Sequence, residues 1–187
     1  MNKLLIALGV IVVIALMAFG WYQGGYNKMI GYDQQVKSSW AQVENQLQRR
    51  FDLIPNLVNT VKGYAAHEKD ILEEVTRLRS QWGQAATVPD KVAAANSLGG
   101  ALSRLLMVSE NYPNLKADQN FLALQSQLEG TENRIAVARK NYNESVKEFN
   151  SHIRGFFNSM FLSKTTFAKK EPFKEAAGSE NAPKVEF

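Results

Sequence analysis

The sequence predicts an all-α protein, an elongated antiparallel bundle of about four helical segments behind an N-terminal transmembrane helix. Two apolar stripes support this prediction, one between Val36 and Trp82 and one between Phe121 and Phe156. Apolar residues that recur every three and four positions lie along one side of a helix. One amphipathic helix cannot bury its own apolar side, so we expect the two stripes to pack against each other.

A continuous apolar run at the N-terminus predicts a membrane anchor. Leu4 to Phe19 are all apolar or small, and with the three residues that follow the run reaches the ~20 residues that a bilayer core requires. Trp21 and Tyr22 stand where interfacial aromatic residues lie. We therefore expect residues 1–22 to form the anchor and residues 4–22 to cross the lipid bilayer once.

A cleaved signal peptide is the alternative interpretation of this run. Lys3 supplies a basic start, and Ala18-Phe19-Gly20 is an acceptable cleavage site. The apolar run is long for a signal peptide, and cleavage would leave the bulky Trp21 near the new N-terminus, so the uncleaved anchor is favoured. Lysines flank the run in similar numbers, so the charge pattern does not decide which side of the membrane the rest of the chain occupies.

The remaining chain divides into three parts. Residues 23–31 contain three glycines and are expected to be a flexible joint, residues 32–162 form the helical-bundle domain, and residues 163–187 form an extended tail rich in charge and proline. Isolated apolar residues in such a tail fit either docking points or a mobile segment. These residues are Phe167, Phe173, Val185 and Phe187.

Pro55 interrupts the first apolar stripe. Proline removes an intrahelical hydrogen bond and clashes with the preceding turn, so the chain either kinks or reverses here. The stripe keeps its phase across Pro55, which favours a kink, whereas Asp52 as an N-cap favours a reversal. Both alternatives divide the helix near Phe51 and extend its second part to Trp82.

Two more helices are predicted further along the chain. The start signals in Thr87–Asp90 predict one helix, and Asp118 is the expected N-cap of another that runs to about Phe157. Gly99 and Gly100 fall inside the first of these helices, where each costs ~1 kcal/mol relative to alanine. Close packing against another helix would offset that cost, and a local break in the helix is the alternative.

Arg50 and Glu68 are charged residues within the first apolar stripe, and each needs a partner if it is buried. A buried charge without a partner costs several kcal/mol. We expect Arg50 to bond to an acidic side chain and to fix the packing register of the helices rather than to perform chemistry. The candidate partners are Glu129, Glu132 and Glu148 for Arg50, and Arg134, Arg139 and His152 for Glu68. Arg50 and Glu68 can pair with each other only if the chain reverses at Pro55.

The composition of the chain argues against several classes of function. The 187 residues include no cysteine, which removes disulfides, thiolate nucleophiles and cysteine-based metal sites. The net charge of +4 is spread in mixed sign, which is typical of a solvated helical surface rather than of a nucleic-acid-binding one. His67-Glu68 is followed by Asp70 and Ile71 and therefore lacks the second histidine of a zinc-binding helix. We expect no catalytic residue, no cofactor and no metal.

Three blocks of the sequence resemble the LemA family. Residues 49–58 read RRFDLIPNLV, and VKGY at 61–64 and HE at 67–68 follow. Residues 128–139 read LEGTENRIAVAR and continue with YN at 142–143, and the tail ends in APKVEF. The candidate structural or family-motif residues in these blocks are Arg49, Arg50, Asp52, Pro55, Asn56, Tyr64, His67, Glu68, Glu129, Thr131, Glu132, Asn133, Arg134, Arg139 and Tyr142.

The resemblance implies a single-pass protein of the bacterial inner membrane with a helical domain of four segments. It implies no catalytic residue, since the family has no established reaction. The expected function is a non-enzymatic scaffold or adaptor for protein partners. The alternative is a ligand- or stress-responsive sensor domain with a polar site around Arg50, Asp52, Glu68 and His152. The heptad stripes also fit a homo-oligomer, unless they are consumed within one copy of the domain.

Overall fold

The computed structural model describes residues 2–154 and 167–174, and these residues form five α-helices and no strand. The helices are α1 (Asn2–Tyr64), α2 (Lys69–Gln84), α3 (Val88–Ser109), α4 (Pro113–Lys116) and α5 (Gln119–Ile153). The all-α prediction is confirmed. The predicted end of the last helix near Phe157, the stripe residue Phe156 and the tail residues Val185 and Phe187 lie outside the described residues.

The N-terminal part of α1 is apolar and exposed. Its large side chains from Leu4 to Phe19 are uncovered by the rest of the described chain, and Leu4 is 76% exposed. Among the described residues, α1 is the one helix that is long and apolar enough to cross a membrane. An exposed apolar surface of this extent is unusual in a water-soluble protein, and it agrees with the predicted anchor.

Residues 23–31 are helical and lie within α1, where the glycines predicted a flexible joint. A glycine costs ~1 kcal/mol relative to alanine in a helix, but helical turns on both sides continue through this stretch. Met29 is fully buried and ties it to the first packed unit described below. The structure therefore has helix in place of the predicted joint.

Pro55 also lies inside α1, which continues for nine residues beyond it to Tyr64. Proline has no N–H to donate to the carbonyl of Phe51, four residues earlier. Arg79 of α2 donates its Nε–H to that carbonyl at 3.2 Å and replaces the missing bond. The predicted reversal at Pro55 is therefore wrong, and so is the division of the helix near Phe51.

The chain reverses instead at residues 65–68, and α2 returns antiparallel along α1. The rings of Phe51 and Trp82 stack with centroids 4.2 Å apart. The reversal starts a new helical phase, so that Leu72 is buried while Ile71 of the predicted stripe is partly exposed. Tyr64, at the end of α1, is 45% exposed.

The described residues divide into two compact units. The first comprises residues 2–41, 140–154 and 167–172, and the second comprises residues 42–139 and 173–174. In the first unit, the N-terminal part of α1 packs on the C-terminal part of α5. The Trp40 ring meets the Tyr142 ring edge-on at 5.4 Å, and the Ser39 and Ser145 hydroxyls lie 2.9 Å apart.

Part of the tail, residues 167–172, is also held in the first unit. Asn150 donates its side-chain N–H to the Lys170 carbonyl at 2.8 Å and accepts the Lys170 N–H at 2.9 Å. The Phe167 ring contacts the rings of Tyr26 and Phe149, at 5.7 and 6.5 Å between centroids. Of the two alternatives for the tail, Phe167 therefore behaves as a docking point.

In the second unit, α2, α3 and α4 join the C-terminal part of α1 and the N-terminal part of α5. The Thr87 hydroxyl accepts the Asp90 N–H at 3.3 Å, and the Asp118 carboxylate accepts the Phe121 N–H at 2.9 Å. Both predicted helix starts are therefore confirmed. Helix α3 runs unbroken through residues 99–100, so the predicted alternative of a local break there is wrong.

Candidate functional site: a groove lined by two arginines

Arg50 is the buried charge around which the candidate site forms. It occupies an inward-facing position of α1 and is only 7% exposed. Its Nη1 lies 2.9 Å from Oε2 of Glu132 on α5. The Glu132 side chain is 49% exposed, so the pair joins a buried cation to a carboxylate that water still reaches. The predicted acidic partner of Arg50 is confirmed.

Gly99 of α3 leaves the room that the Arg50 guanidinium occupies. A Cβ atom at position 99 would lie 3.2 Å from Nη2 of Arg50, closer than ordinary van der Waals contact. The neighbouring Gly100 has no such contact, because a Cβ there would meet nothing within 4 Å. The predicted close packing of the glycine pair is therefore confirmed at Gly99 only.

The charges around Arg50 act in opposite directions. Burial lowers the pKa of Arg50, the carboxylate of Glu132 opposes this shift, and the nearby guanidinium of Arg139 adds to it, with a net lowering. Because the reference pKa of arginine is far above neutrality, Arg50 stays protonated. The site therefore keeps two cationic guanidinium groups at neutral pH.

A groove opens between α3 and α5 over Arg50, within the second unit. Its volume is about 440 Å³, in the range of cavities that hold small ligands or side chains. The lining combines leucines with charged and amide groups. It consists of Arg50, Ala95, Asn96, Gly99, Gly100, Leu102, Ser103, Leu106, Leu128, Glu129, Glu132 and Arg139.

The tail reaches the edge of this groove at Phe173 and Lys174. Phe173 is only 4% exposed, and the guanidinium carbon of Arg139 lies 4.3 Å from its ring centroid, a cation–π contact. Asn96 of α3 donates its side-chain N–H to the Lys174 carbonyl at 3.2 Å. Asn96 and Arg139 both line the groove and therefore hold the described end of the tail beside it.

Other motif candidates lie outside the groove lining. The exposed ones are Arg49, Asp52, Pro55, Asn56, Tyr64, His67, Asn133 and Arg134. The Tyr64 hydroxyl donates to the Asp118 carboxylate at 2.9 Å. Thr131 is buried and donates to the Gln127 carbonyl one turn earlier at 2.7 Å, which is a local helical contact. Tyr142 belongs to the first unit, where it packs on Trp40 and donates to the Glu171 carbonyl at 3.1 Å.

Within the described residues, Glu68 pairs with a tyrosine rather than with the basic partner that the sequence predicted. It accepts a hydrogen bond from the Tyr112 hydroxyl at 2.8 Å, because the reversal at residues 65–68 places it just before α2 rather than inside a helix. Asp52 accepts from Gln48 at 2.7 Å on its own helix.

The proposed sensor residues therefore have different partners. Arg50, Asp52 and Glu68 bond to different side chains within the second unit. His152 of the first unit lies against Tyr32, with 4.9 Å between ring centroids. Within the described parts of the chain, no group of three or more histidine, aspartate and glutamate side chains is placed to hold a metal ion.

Several groove residues carried no signal in the sequence. Asn96 and Ser103 have ordinary surroundings in the chain, and only the fold brings them to one surface. The Gly99-Gly100 pair was one useful signal, because glycines inside a helix indicate a close approach of another group. The isolated Phe173 was a second, since a lone aromatic in a polar tail fits a docking point.

Comparison with known proteins gives the family of the chain. The magnetosome protein MamQ 2 of Paramagnetospirillum magneticum is 26% identical over 196 residues, covering 90% of this chain and 72% of that protein. The protein LemA of Metamycoplasma hominis is 24% identical over 147 residues, covering 76% of this chain and 66% of that protein. The family model described as LemA family matches residues 39–187. Since that match spans well over half of the sequence, the chain belongs to the LemA family.

Proposed function

We propose that this chain is a non-enzymatic scaffold or adaptor, held in the bacterial inner membrane by residues 4–22, that binds protein partners through its helical domain. The observation that supports this function best is the groove between α3 and α5. It is open to solvent along one side of a packed helical unit and combines an apolar floor with charged groups of both signs.

The lining of the groove suits a peptide segment of another protein. Leu102, Leu106 and Leu128 offer apolar contact, while Arg139 and Glu129 can orient a partner through charge. Protein interfaces commonly combine an apolar centre with a polar rim, and arginine is enriched among the residues that dominate binding energy. The side chains in the groove therefore match those of a protein-binding surface.

The exposed apolar part of α1 supports the anchored half of the proposal. Its side chains from Leu4 to Phe19 require an apolar surrounding, which a lipid bilayer supplies. Tethering to a membrane raises the effective concentration of the domain toward other membrane components. The intact mass of protein extracted from membranes should include residues 1–22, and a mass without them would contradict the anchor.

The names of the relatives also fit a scaffold role. MamQ 2 is named as a magnetosome protein, and neither that name nor LemA states a reaction. A role in holding components together at a membrane needs no catalytic residue. This agrees with the separate hydrogen-bond partners of Asp52 and Glu68, which do not form one shared site.

Photo-crosslinking in native membranes tests the proposal. A photoreactive amino acid replaces Ser103, which is exposed and lines the groove, in the full-length chain. Ser80 on α2 is the matched control, because it too is an exposed helical serine whose hydroxyl donates to the carbonyl four residues earlier. We expect crosslinks to another protein from position 103 and far fewer from position 80. Equal crosslinking from both positions, or crosslinks only to the chain itself, would contradict the proposal.

A further inference from the structure

We propose that the groove between α3 and α5 is the docking site of the chain's own C-terminal segment, residues 175–187. The proposal concerns the occupant of the groove when no partner is bound. It therefore stands whether or not the scaffold function is correct.

The first argument is the place where the described tail ends. Phe173 is buried beneath the Arg139 guanidinium, and the Lys174 carbonyl accepts a hydrogen bond from Asn96. Asn96 and Arg139 both line the groove. These two contacts place Lys174, the last described residue of the tail, at the edge of the groove.

The second argument is reach. Thirteen residues follow Lys174, and an extended chain spans ~3.3 Å per residue. The α3 side of the groove runs from Ala95 to Leu106, about 17 Å at the 1.5 Å rise of a helix. About five extended residues would cover that length, so the segment can fill the groove with chain to spare.

The third argument is chemical fit. In an extended segment, Val185 and Phe187 lie on one side and Glu186 on the other, because alternate side chains point in opposite directions. Val185 and Phe187 are then about 7 Å apart, close to the ~6 Å rise between Leu102 and Leu106 one helical turn apart. The apolar pair matches the leucine floor of the groove.

Charge agrees with this placement. Residues 175–187 contain three glutamates, Glu175, Glu180 and Glu186, and one lysine, Lys184. The groove lining carries Arg50 and Arg139 as well as Glu129 and Glu132, so a segment with three carboxylates and one ammonium group meets groups of opposite charge along it. Carboxylates form strong hydrogen bonds with guanidinium groups.

Cysteine crosslinking in the full-length chain tests the docking, since the protein contains no cysteine of its own. One variant carries Ser103→Cys with Val185→Cys, and its matched control carries Ser80→Cys with Val185→Cys. Both positions are exposed helical serines of the second unit, and only position 103 lines the groove. Docking should make the intramolecular crosslink at position 103 form faster than at position 80, by on the order of tenfold.

A blocked groove provides the second measurement. Gly100→Trp places a large side chain in the groove without a backbone clash, because a Cβ at position 100 meets nothing within 4 Å. Gly83→Trp is the control, since position 83 is equally free of neighbours and lies outside the lining. We expect Gly100→Trp to abolish the fast crosslink at position 103 and Gly83→Trp to leave it.

Three outcomes would overturn the proposal. They are equal crosslinking at positions 103 and 80, a fast crosslink that survives Gly100→Trp, and a crosslink that joins two copies of the chain. The last outcome would assign the groove to the tail of a second molecule. A crosslink that is fast, intramolecular and sensitive to Gly100→Trp supports docking of the chain's own tail.

Discussion

Replacing Glu132 by glutamine should destabilise the protein more than removing the buried arginine that it pairs with. Glu132→Gln leaves the Arg50 guanidinium buried without a carboxylate, and a hydrogen bond to a charged group contributes ~1.5–3 kcal/mol. The Glu132 side chain is 49% exposed, so water screens part of this interaction. We therefore expect a loss of about 1–2 kcal/mol in the free energy of unfolding, from the lower part of that range.

Arg50→Met removes the buried charge and keeps much of the stem volume. The half-exposed Glu132 carboxylate then remains hydrated, so no buried charge is left without a partner. Exchange of a buried ionic group for an apolar one of similar volume is often close to neutral, and we expect a loss below about 1 kcal/mol. The double variant Arg50→Met with Glu132→Gln should lose no more free energy of unfolding than Arg50→Met alone, because the ion pair is already absent.

Thermal unfolding of the full-length protein in detergent, followed by far-ultraviolet circular dichroism, measures these differences. For a chain of this length, 1 kcal/mol corresponds to about 2–4 °C in melting temperature. Arg49→Met is the control, since Arg49 is the exposed neighbour of Arg50. Two results would refute the ion pair as a stabilising contact. One is a Glu132→Gln protein with the melting temperature of the native protein, and the other is a double variant whose loss of stability equals the sum of the two single losses.

Two further changes test other contacts. Burial raises the pKa of Asp33, but hydrogen bonds and charges from Lys170 and Lys37 outweigh burial and lower it below 3.8. The stabilisation is therefore present above the unfolded pKa of 3.8 and is lost as the pH falls through the lower folded pKa. Asp33→Asn should lower the melting temperature at neutral pH, with a difference that vanishes in acid, and a pH-independent difference would contradict this. Arg79→Met removes the bond to the Phe51 carbonyl and should lower the free energy of unfolding by about 1 kcal/mol. The loss should be smaller in a Pro55→Ala background, because alanine restores the missing N–H. Equal losses in both backgrounds, measured by thermal unfolding, would contradict the role of Arg79 as a replacement donor.

Pro55 and Glu68 show where reasoning from local sequence failed. Proline is a strong helix breaker because of the hydrogen bond that it removes, yet Arg79 supplies that bond from 24 positions away in the chain. Once α1 continues to Tyr64, the reversal moves to residues 65–68 and Glu68 leaves the apolar stripe. The contact between Arg79 and Phe51 therefore accompanies two wrong local predictions, the reversal at Pro55 and the place of Glu68 inside the apolar stripe.

The residues of the candidate site were also predicted only in part from the sequence. The sequence required an acidic partner for Arg50, because a buried charge needs one, and three glutamates were candidates. Geometry chose Glu132, since antiparallel packing in the second unit brings that residue beside Arg50 at 2.9 Å. Asn96, Ser103 and Leu106 entered the site only because α3 lies across α1 and α5 there.

By itself, the sequence determined the helical class, the apolar segment of α1, the helix start at Thr87–Asp90, the cap at Asp118, and the need to pair Arg50. These properties follow from hydrophobic periodicity, composition and contacts within a few residues, which a single chain segment already contains. The tertiary structure alone decided the position of the reversal, the partners of Glu68 and Arg79, the burial of Phe173 and the existence of the groove. Each of these depends on atoms that are distant in the chain, and only packing brings such atoms within bonding distance.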